Sequence, residues 1–299
     1  MNRVQVDQIV NAVLYEGYIL YPYKSSIKNC HSLTFGRVYP HECCDVHDPS
    51  SRSSLHIECL IEPSDHAQLD LEIRFLHITD RKIARATVAG TPIPTSITEG
   101  DLAWEFLESA EVGGVCYHRW QEAVERRVDC EELSLESLVN EPEIMTFAFP
   151  AKQEIEAIPM DANLPPVVLV REQMEIRGLL MAYVEEIQPG LRKLILQISN
   201  DSKVPNSTMS SRRVPAQQCS FASTNAVLEV RGSRFVSLTD APAEYQLAAA
   251  ACRNDGAWPV LLGEIEDPWG ILASPIVLPD FPEVSVTELG DCYHGTESE

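Results

Sequence analysis

Leu55-His-Ile-Glu-Cys-Leu-Ile-Glu-Pro-Ser-Asp-His-Ala-Gln-Leu-Asp-Leu-Glu-Ile-Arg-Phe75 holds two runs in which every second residue is apolar. In the first, Leu55, Ile57, Cys59 and Ile61 alternate with mostly polar neighbours. In the second, Leu69, Leu71, Ile73 and Phe75 alternate with Gln68, Asp70, Glu72 and Arg74. Successive side chains of an extended chain point to opposite faces, so each run predicts a half-buried strand. Glu62–His66 is short and turn-rich, which predicts that the two strands pair antiparallel as a hairpin.

The same unit recurs along the chain. Met174–Ile187 and Leu191–Ser199 flank Gln188-Pro-Gly190, and Val227–Val230 and Phe235–Leu238 flank Gly232-Ser233, predicting two more hairpins. Helical signals are fewer. Val6, Ile9, Val10, Val13 and Leu14 share one face of a short N-terminal helix that Gly17 follows. A later helix is predicted near residues 242–253, with Asp240 as its cap, Pro242 and Glu244 in its first turn and Gly256 beyond its end. Residues 200–218 lack an apolar period and read as a long loop. The fold expected is mainly β (α+β), with antiparallel β-sandwich-like sheets, the short N-terminal helix and the one later helix. Prolines 150, 159, 165 and 166 mark a boundary between a β-rich region over 1–160 and a second over 161–299, or a bend within one continuous domain.

At 299 residues the chain is long enough to bury a large core. Its 23 Lys and Arg stand against 45 Asp and Glu, a formal charge of −22 that would repel a polyanion, so no nucleic-acid partner is expected. The N-terminus lacks the pattern of an export signal, and no apolar run approaches the ~18 residues of a membrane span. Cytoplasmic localisation without membrane insertion is therefore expected, with the nine cysteines mainly reduced.

Two clusters invite a chemical reading. His41-Glu-Cys-Cys-Asp-Val-His47 offers His41, Cys43, Cys44 and His47 as ligands for one Zn²⁺, which would make the protein a metal carrier or metal-dependent enzyme. Against this, adjacent cysteines in an extended chain point apart and the usual two-residue ligand spacing is absent, so unligated loop residues are the favoured reading. His118, Glu122 and Glu125 share a face if helical, whereas only His118 and Glu122 do if extended. A salt-bridged surface is the reading favoured there. No phosphate loop or dinucleotide fingerprint is present, no cofactor is expected, and no catalytic residue is assigned.

Val13–Pro40 interleaves Tyr15, Tyr18, Tyr21, Tyr23, Phe35 and Tyr39 with Glu16, Lys24, Lys28 and Asn29. Such rings either pack as a satellite core or, with directed polar groups among them, serve as a protein-docking surface. The run from Val13 to Lys24, Lys28-Asn29 and Thr34-Phe-Gly36 resembles a bacterial family encoded beside nickel-iron hydrogenase structural and maturation genes. Trp120–Glu125, Phe235–Leu238, Trp258–Gly263, Ser274–Val277, Gly290-Asp291 and Gly295–Glu297 resemble it in the same order. This chain departs from that pattern at the Cys43-Cys44 pair and in stopping at Glu299, where the resemblance implies relatives that continue into a helical tail.

The resemblance implies a context and carries no catalytic role onto any residue. The expected function is a non-catalytic accessory protein that assists hydrogenase assembly or maturation by binding a hydrogenase subunit or maturation factor. Tyr15, Glu16, Tyr21, Tyr23, Lys24 and Lys28 form its partner-binding or structural anchor. The metal-binding alternative and a small-molecule-binding β-sandwich stand beside it.

Overall fold

The computed structural model describes residues 3–19, 36–44, 51–64, 66–161, 163–205 and 213–283. Two antiparallel sheets pack face to face. The smaller contains β1 (Ser54–Glu62), β7 (Glu143–Phe149), β10 (Ile176–Gln188), β11 (Leu191–Asn200) and β13 (Arg234–Val236), in the order β13-β1-β11-β10-β7. The larger contains β2 (Gln68–Ala86), β3 (Trp104–Leu107), β6 (Trp120–Ser134), β8 (Lys152–Ala157), β9 (Val167–Gln173), β12 (Phe221–Arg231), β14 (Trp258–Glu264) and β15 (Asp267–Ser274). Its path is β14-β15-β12-β2-β9-β8, and β3 and β6 also pair with β2. A separate hairpin joins β4 (Ser109–Val112) to β5 (Val115–His118) through Gly113 and Gly114, whose φ of 61° and 83° suit a tight two-residue turn.

β2 is the spine of the larger sheet. β12 pairs with its residues 68–77 and β9 with 79–85, while β6 pairs with 68–81 and β3 with 83–86. Because β6 overlaps both β12 and β9 along β2, it must occupy the other edge, with β3 following it there. Strands from both sides of the 150–165 segment share each sheet.

The core lies between the sheets. Leu55, Ile57, Cys59 and Ile61 of β1 meet Leu69, Leu71, Ile73 and Phe75 of β2 in one buried cluster with Leu194, Leu196 and Ile198 of β11 and Ala226 and Leu228 of β12. At one end Phe75 lies 4.6 Å, centroid to centroid, from Phe221 and 6.0 Å from both Phe147 and Phe149. Contacts of this kind add about 0.5–1.5 kcal/mol per pair beyond burial.

The strand faces follow the alternation, but two of the three expected hairpins do not form. β1 pairs with β11 and β13, not with β2, and β12 pairs with β2 and β15, not with β13. Alternation sets which face of a strand is apolar and leaves its neighbour open. Here the apolar faces of β1 and β2 look at each other, so the short Glu62–Ala67 connection crosses the sandwich. Gly232, with φ 74°, turns the chain in the same way between β12 and β13. Only β10 and β11 form the expected local hairpin, closed at Gly190 with φ 82°.

α1 (Arg3–Ile19) runs through Gly17 and covers the outer face of the larger sheet. Val6, Ile9, Val10 and Val13 pack on Val227, Val260, Leu262 and Leu272, and Leu14 packs on Leu76 and Ile78. Covering this second face makes β2 buried on both sides, where its pattern had predicted half-burial. α2 (Leu135–Asn140) starts at Ser134, whose hydroxyl accepts the Ser137 N–H at 3.3 Å. α3 (Arg213–Gln218) falls in the segment read as loop. α4 (Gln246–Ala251) is shorter than the 242–253 helix expected: Pro242 and Asp240 precede it, because Tyr245 N–H donates to the Pro242 carbonyl in a separate turn.

Candidate functional site

β12 carries three polar residues, Ser223, Thr224 and Asn225, between Ala222 and Ala226, and there its pairing with β2 shifts register. A register shift adds residues to one strand and bends it. Ser223 has φ 49° and all three residues are buried, so each polar group needs a partner inside the protein. The Ser223 hydroxyl donates to the Val13 carbonyl of α1 at 3.3 Å, and Thr224 N–H donates to the Gly36 carbonyl at 3.5 Å. Asn225 Nδ2 donates to Ser223 O at 2.7 Å, bracing the bulge.

The bulge therefore holds the chain at Val13, within α1, and again at Gly36. Gly36 suits its post, since its φ is 50° and a Cβ there would stand 2.7 Å from Pro275. Past it, Val38 exchanges backbone hydrogen bonds with Phe221 at 2.9 and 3.0 Å, and Tyr39 N–H reaches the Arg52 carbonyl at 2.8 Å. The fully buried Asn200 sends Nδ2 to the carbonyls of Val38 and Cys219, both at 2.8 Å, and its Oδ1 accepts Ser202 N–H at 3.0 Å. One amide thus fastens the returning stem to the segment before β12.

Charged groups fasten α1 as well. Arg74, buried beneath the helix, donates to Glu125 at 2.8 Å, to Asp7 at 3.3 Å and to Asn11. Arg3 pairs with Glu72 and Glu229, and Arg127 reaches Glu72 at 2.7 Å. Burial pushes the Glu72 carboxyl above its ordinary range against the pull of Arg3, Arg127 and Arg74. Arg37 is also buried: its Nη1 donates to the Gln217 carbonyl at 3.1 Å and the Ser220 hydroxyl at 2.8 Å, and burial lowers its pKa to about 10.

Of the anchor residues read from the sequence, Tyr15 and Glu16 fall in the last turns of α1, where only the backbone is described. Tyr21, Tyr23, Lys24 and Lys28 lie outside the described residues. So does His47 of the Zn²⁺ candidates. His41-Glu-Cys43 forms a single 3-10 turn, His41 Nδ1 faces the Ser53 hydroxyl at 3.3 Å and the Cys44 thiol faces the Pro40 carbonyl at 3.7 Å. Among the described residues no group of three His, Cys, Asp or Glu is placed to hold a metal ion.

His118, Glu122 and Glu125 sit on strands. Glu122 pairs with Arg81 at 2.8 Å and Arg171 at 2.6 Å, and Glu125 pairs with Arg74, so both carboxylates belong to ion pairs within the sheet. Burial pushes the Cys219 thiol to about 12, helped by Cys43 and Glu42, and the Cys252 thiol to about 11, helped by Glu58. Burial also raises the Cys59 thiol. These three are protonated at neutral pH and are poor nucleophiles.

Two features escaped the sequence reading. Glu58 is buried, yet it keeps a pKa below the ordinary value: burial pushes it up, and the His56 hydrogen bond at 3.0 Å, the Arg253 N–H at 2.8 Å and Lys193 outweigh that. The stem clamp at Asn200, Ser223 and Thr224 was the other, although three consecutive polar residues inside an apolar strand were a legible sign of a bulge. No helix of the described residues is long and apolar enough to cross a membrane. The chain matches no protein-family model and no curated protein sequence.

Proposed function

We propose that this protein is a non-catalytic accessory protein that acts by binding another protein, using the aromatic segment that begins in the last turns of α1 as its contact region. Tyr15, Glu16, Tyr21, Tyr23, Lys24 and Lys28 supply that contact. Following the resemblance of its motifs, the partner is a subunit or maturation factor of a nickel-iron hydrogenase.

The observation that supports this reading is the clamp at the bulge of β12. Ser223 holds α1 through Val13, and its neighbour Thr224 holds Gly36, so both ends of the aromatic segment are fixed side by side on a buried scaffold. Fixing the ends of a contact segment in advance lowers the ordering cost of association, and binding residues are commonly carried between rigid elements in this way.

The test is affinity purification of the tagged protein from cells that make a nickel-iron hydrogenase, with and without Tyr21→Ala/Tyr23→Ala. Truncating interface aromatics costs about 2 kcal/mol or more each at a hot spot, so the double variant should lose the hydrogenase-pathway protein while keeping its melting transition. Wild-type protein that enriches no such protein over an untagged control removes the hydrogenase reading. A double variant that unfolds assigns the rings to the core instead.

A further inference from the structure

A second surface, sharing no residue with the stem clamp, lies where β13, the segment after it, the β14–β15 turn and residues 280–281 meet. They enclose a cleft of about 510 Å³, within the ~300–1,000 Å³ typical of ligand-binding clefts. Its accessible apolar lining includes Phe281, above the buried Phe235 and Leu261, and Ile265 stands at its margin 83% exposed.

The lining is held in shape from within. Asp280 Oδ1 accepts Leu261 N–H at 2.8 Å, and its Oδ2 accepts the hydroxyls of Ser237 at 2.6 Å and Thr239 at 3.0 Å. Phe281 N–H donates to the Leu261 carbonyl at 2.8 Å, and Asp240 N–H donates to Ser237 Oγ at 2.8 Å. These bonds fix both the wall and the backbone of Asp240.

Among the described residues, the carboxylates of Glu62, Asp240, Glu266 and Asp280 line the cleft with the guanidinium of Arg234, which Glu62 already engages. Asp280 is occupied by its three donors. Asp240 and Glu266 are exposed at the rim, and among the described residues neither side chain makes a hydrogen bond or ion pair. Two uncommitted carboxylates above an apolar floor complement a group with an aliphatic body and a cationic head, as lysine and arginine side chains have. The exposed Ile265 offers a contact to an apolar neighbour of that cation. The space exceeds what one such side chain fills, which favours a stretch of peptide, and the charge of −22 would steer a basic segment toward the protein.

We propose that this cleft docks a basic segment of a protein partner, with lysine or arginine heads on Asp240 and Glu266 and intervening apolar side chains on Phe281 and Ile265.

The probe is a fluorescein-labelled hexapeptide of alternating leucine and lysine, titrated with the full chain and read by fluorescence anisotropy. Asp240→Asn/Glu266→Gln should weaken binding at least tenfold and Ile265→Ser about fivefold, with unchanged melting curves. Glu111→Gln/Glu141→Gln, which removes the same charge from exposed positions outside the cleft, should stay within twofold of wild type. Equal weakening by the two double variants would reduce the effect to net charge and overturn the proposal. So would spermine binding the wild type as tightly as the peptide, since apolar contacts would then contribute nothing.

Discussion

The hydroxyl of Ser223, held at φ 49° in the bulge of β12, donates to the carbonyl of Val13 on α1 at 3.3 Å. Both groups are on buried residues, so the bond ties a helix to a strand 210 positions away with no competition from water. It joins the stability of the sheet to the position of α1, whose last turns carry Tyr15 and Glu16.

Replacing Ser223 with alanine removes that donor and leaves a helix carbonyl with one partner fewer. A buried hydrogen bond of this kind contributes about 0.5–1.5 kcal/mol. Ser223→Ala should lower stability by that order and speed amide exchange in α1 while the β10–β11 hairpin keeps its protection. Uniform acceleration across both elements would show that the bond does not act locally on the helix.

Gly178 faces Phe147 so closely that a Cβ would lie 2.2 Å from the ring. Strand propensity has no part in this, because the glycine makes room for a ring in the Phe75 cluster. Gly178→Ala should destabilise by about 1–3 kcal/mol through overpacking. Combining it with Phe147→Leu should recover part of that loss relative to the sum of the two single changes, as measured by denaturant unfolding. Strict additivity would sink the steric account.

His77 is fully buried, and burial, with the Arg126 charge beside it, lowers its pKa from 6.5 to about 4. Above pH 6.5 both folded and unfolded states hold a neutral imidazole and the group has no effect. As pH falls from 6.5 toward 4 the unfolded chain takes up a proton that the folded protein refuses, so stability drops through that window and then levels. The drop is on the order of 3 kcal/mol. His77→Gln should flatten the stability profile between pH 6.5 and 4, and an unchanged slope would mean that other groups set it.

Arg74 is buried under α1 among Asp7, Asn11 and Glu125, whereas Arg85 and Glu105 form an exposed pair at 3.2 Å. Arg74 is buried while Asp7 and Glu125 keep 40% and 32% exposure, so its loss costs less than the ~3–5 kcal/mol of a fully buried network but more than the ~1 kcal/mol or less of an exposed pair. Arg74→Met should therefore lower the melting temperature more than Arg85→Met. Comparable losses would show that water already screens the network under the helix.

How much was legible varied with the range of the interaction. The apolar faces of β1, β2, β10 and β11 and of α1 were readable, because the backbone geometry of each element sends every second, or every third and fourth, side chain to one side. The β10–β11 hairpin was readable for the same reason, since its turn is local. The clamp at Ser223 and Thr224 was not: its partners, Val13 and Gly36, lie some two hundred residues away, and nothing near the serine marks them.

By itself the sequence determined a β-rich sandwich with an amphipathic N-terminal helix, since periodicity is a property of neighbouring residues and needs no knowledge of the rest. Only the tertiary structure decided that β1 and β2 occupy opposing sheets, that β2 is covered on both faces and that Arg74 and Glu72 are buried beneath α1. Pairing partners are chosen by the total apolar area and hydrogen bonding that long-range contacts complete, and those terms exist only once distant segments have met.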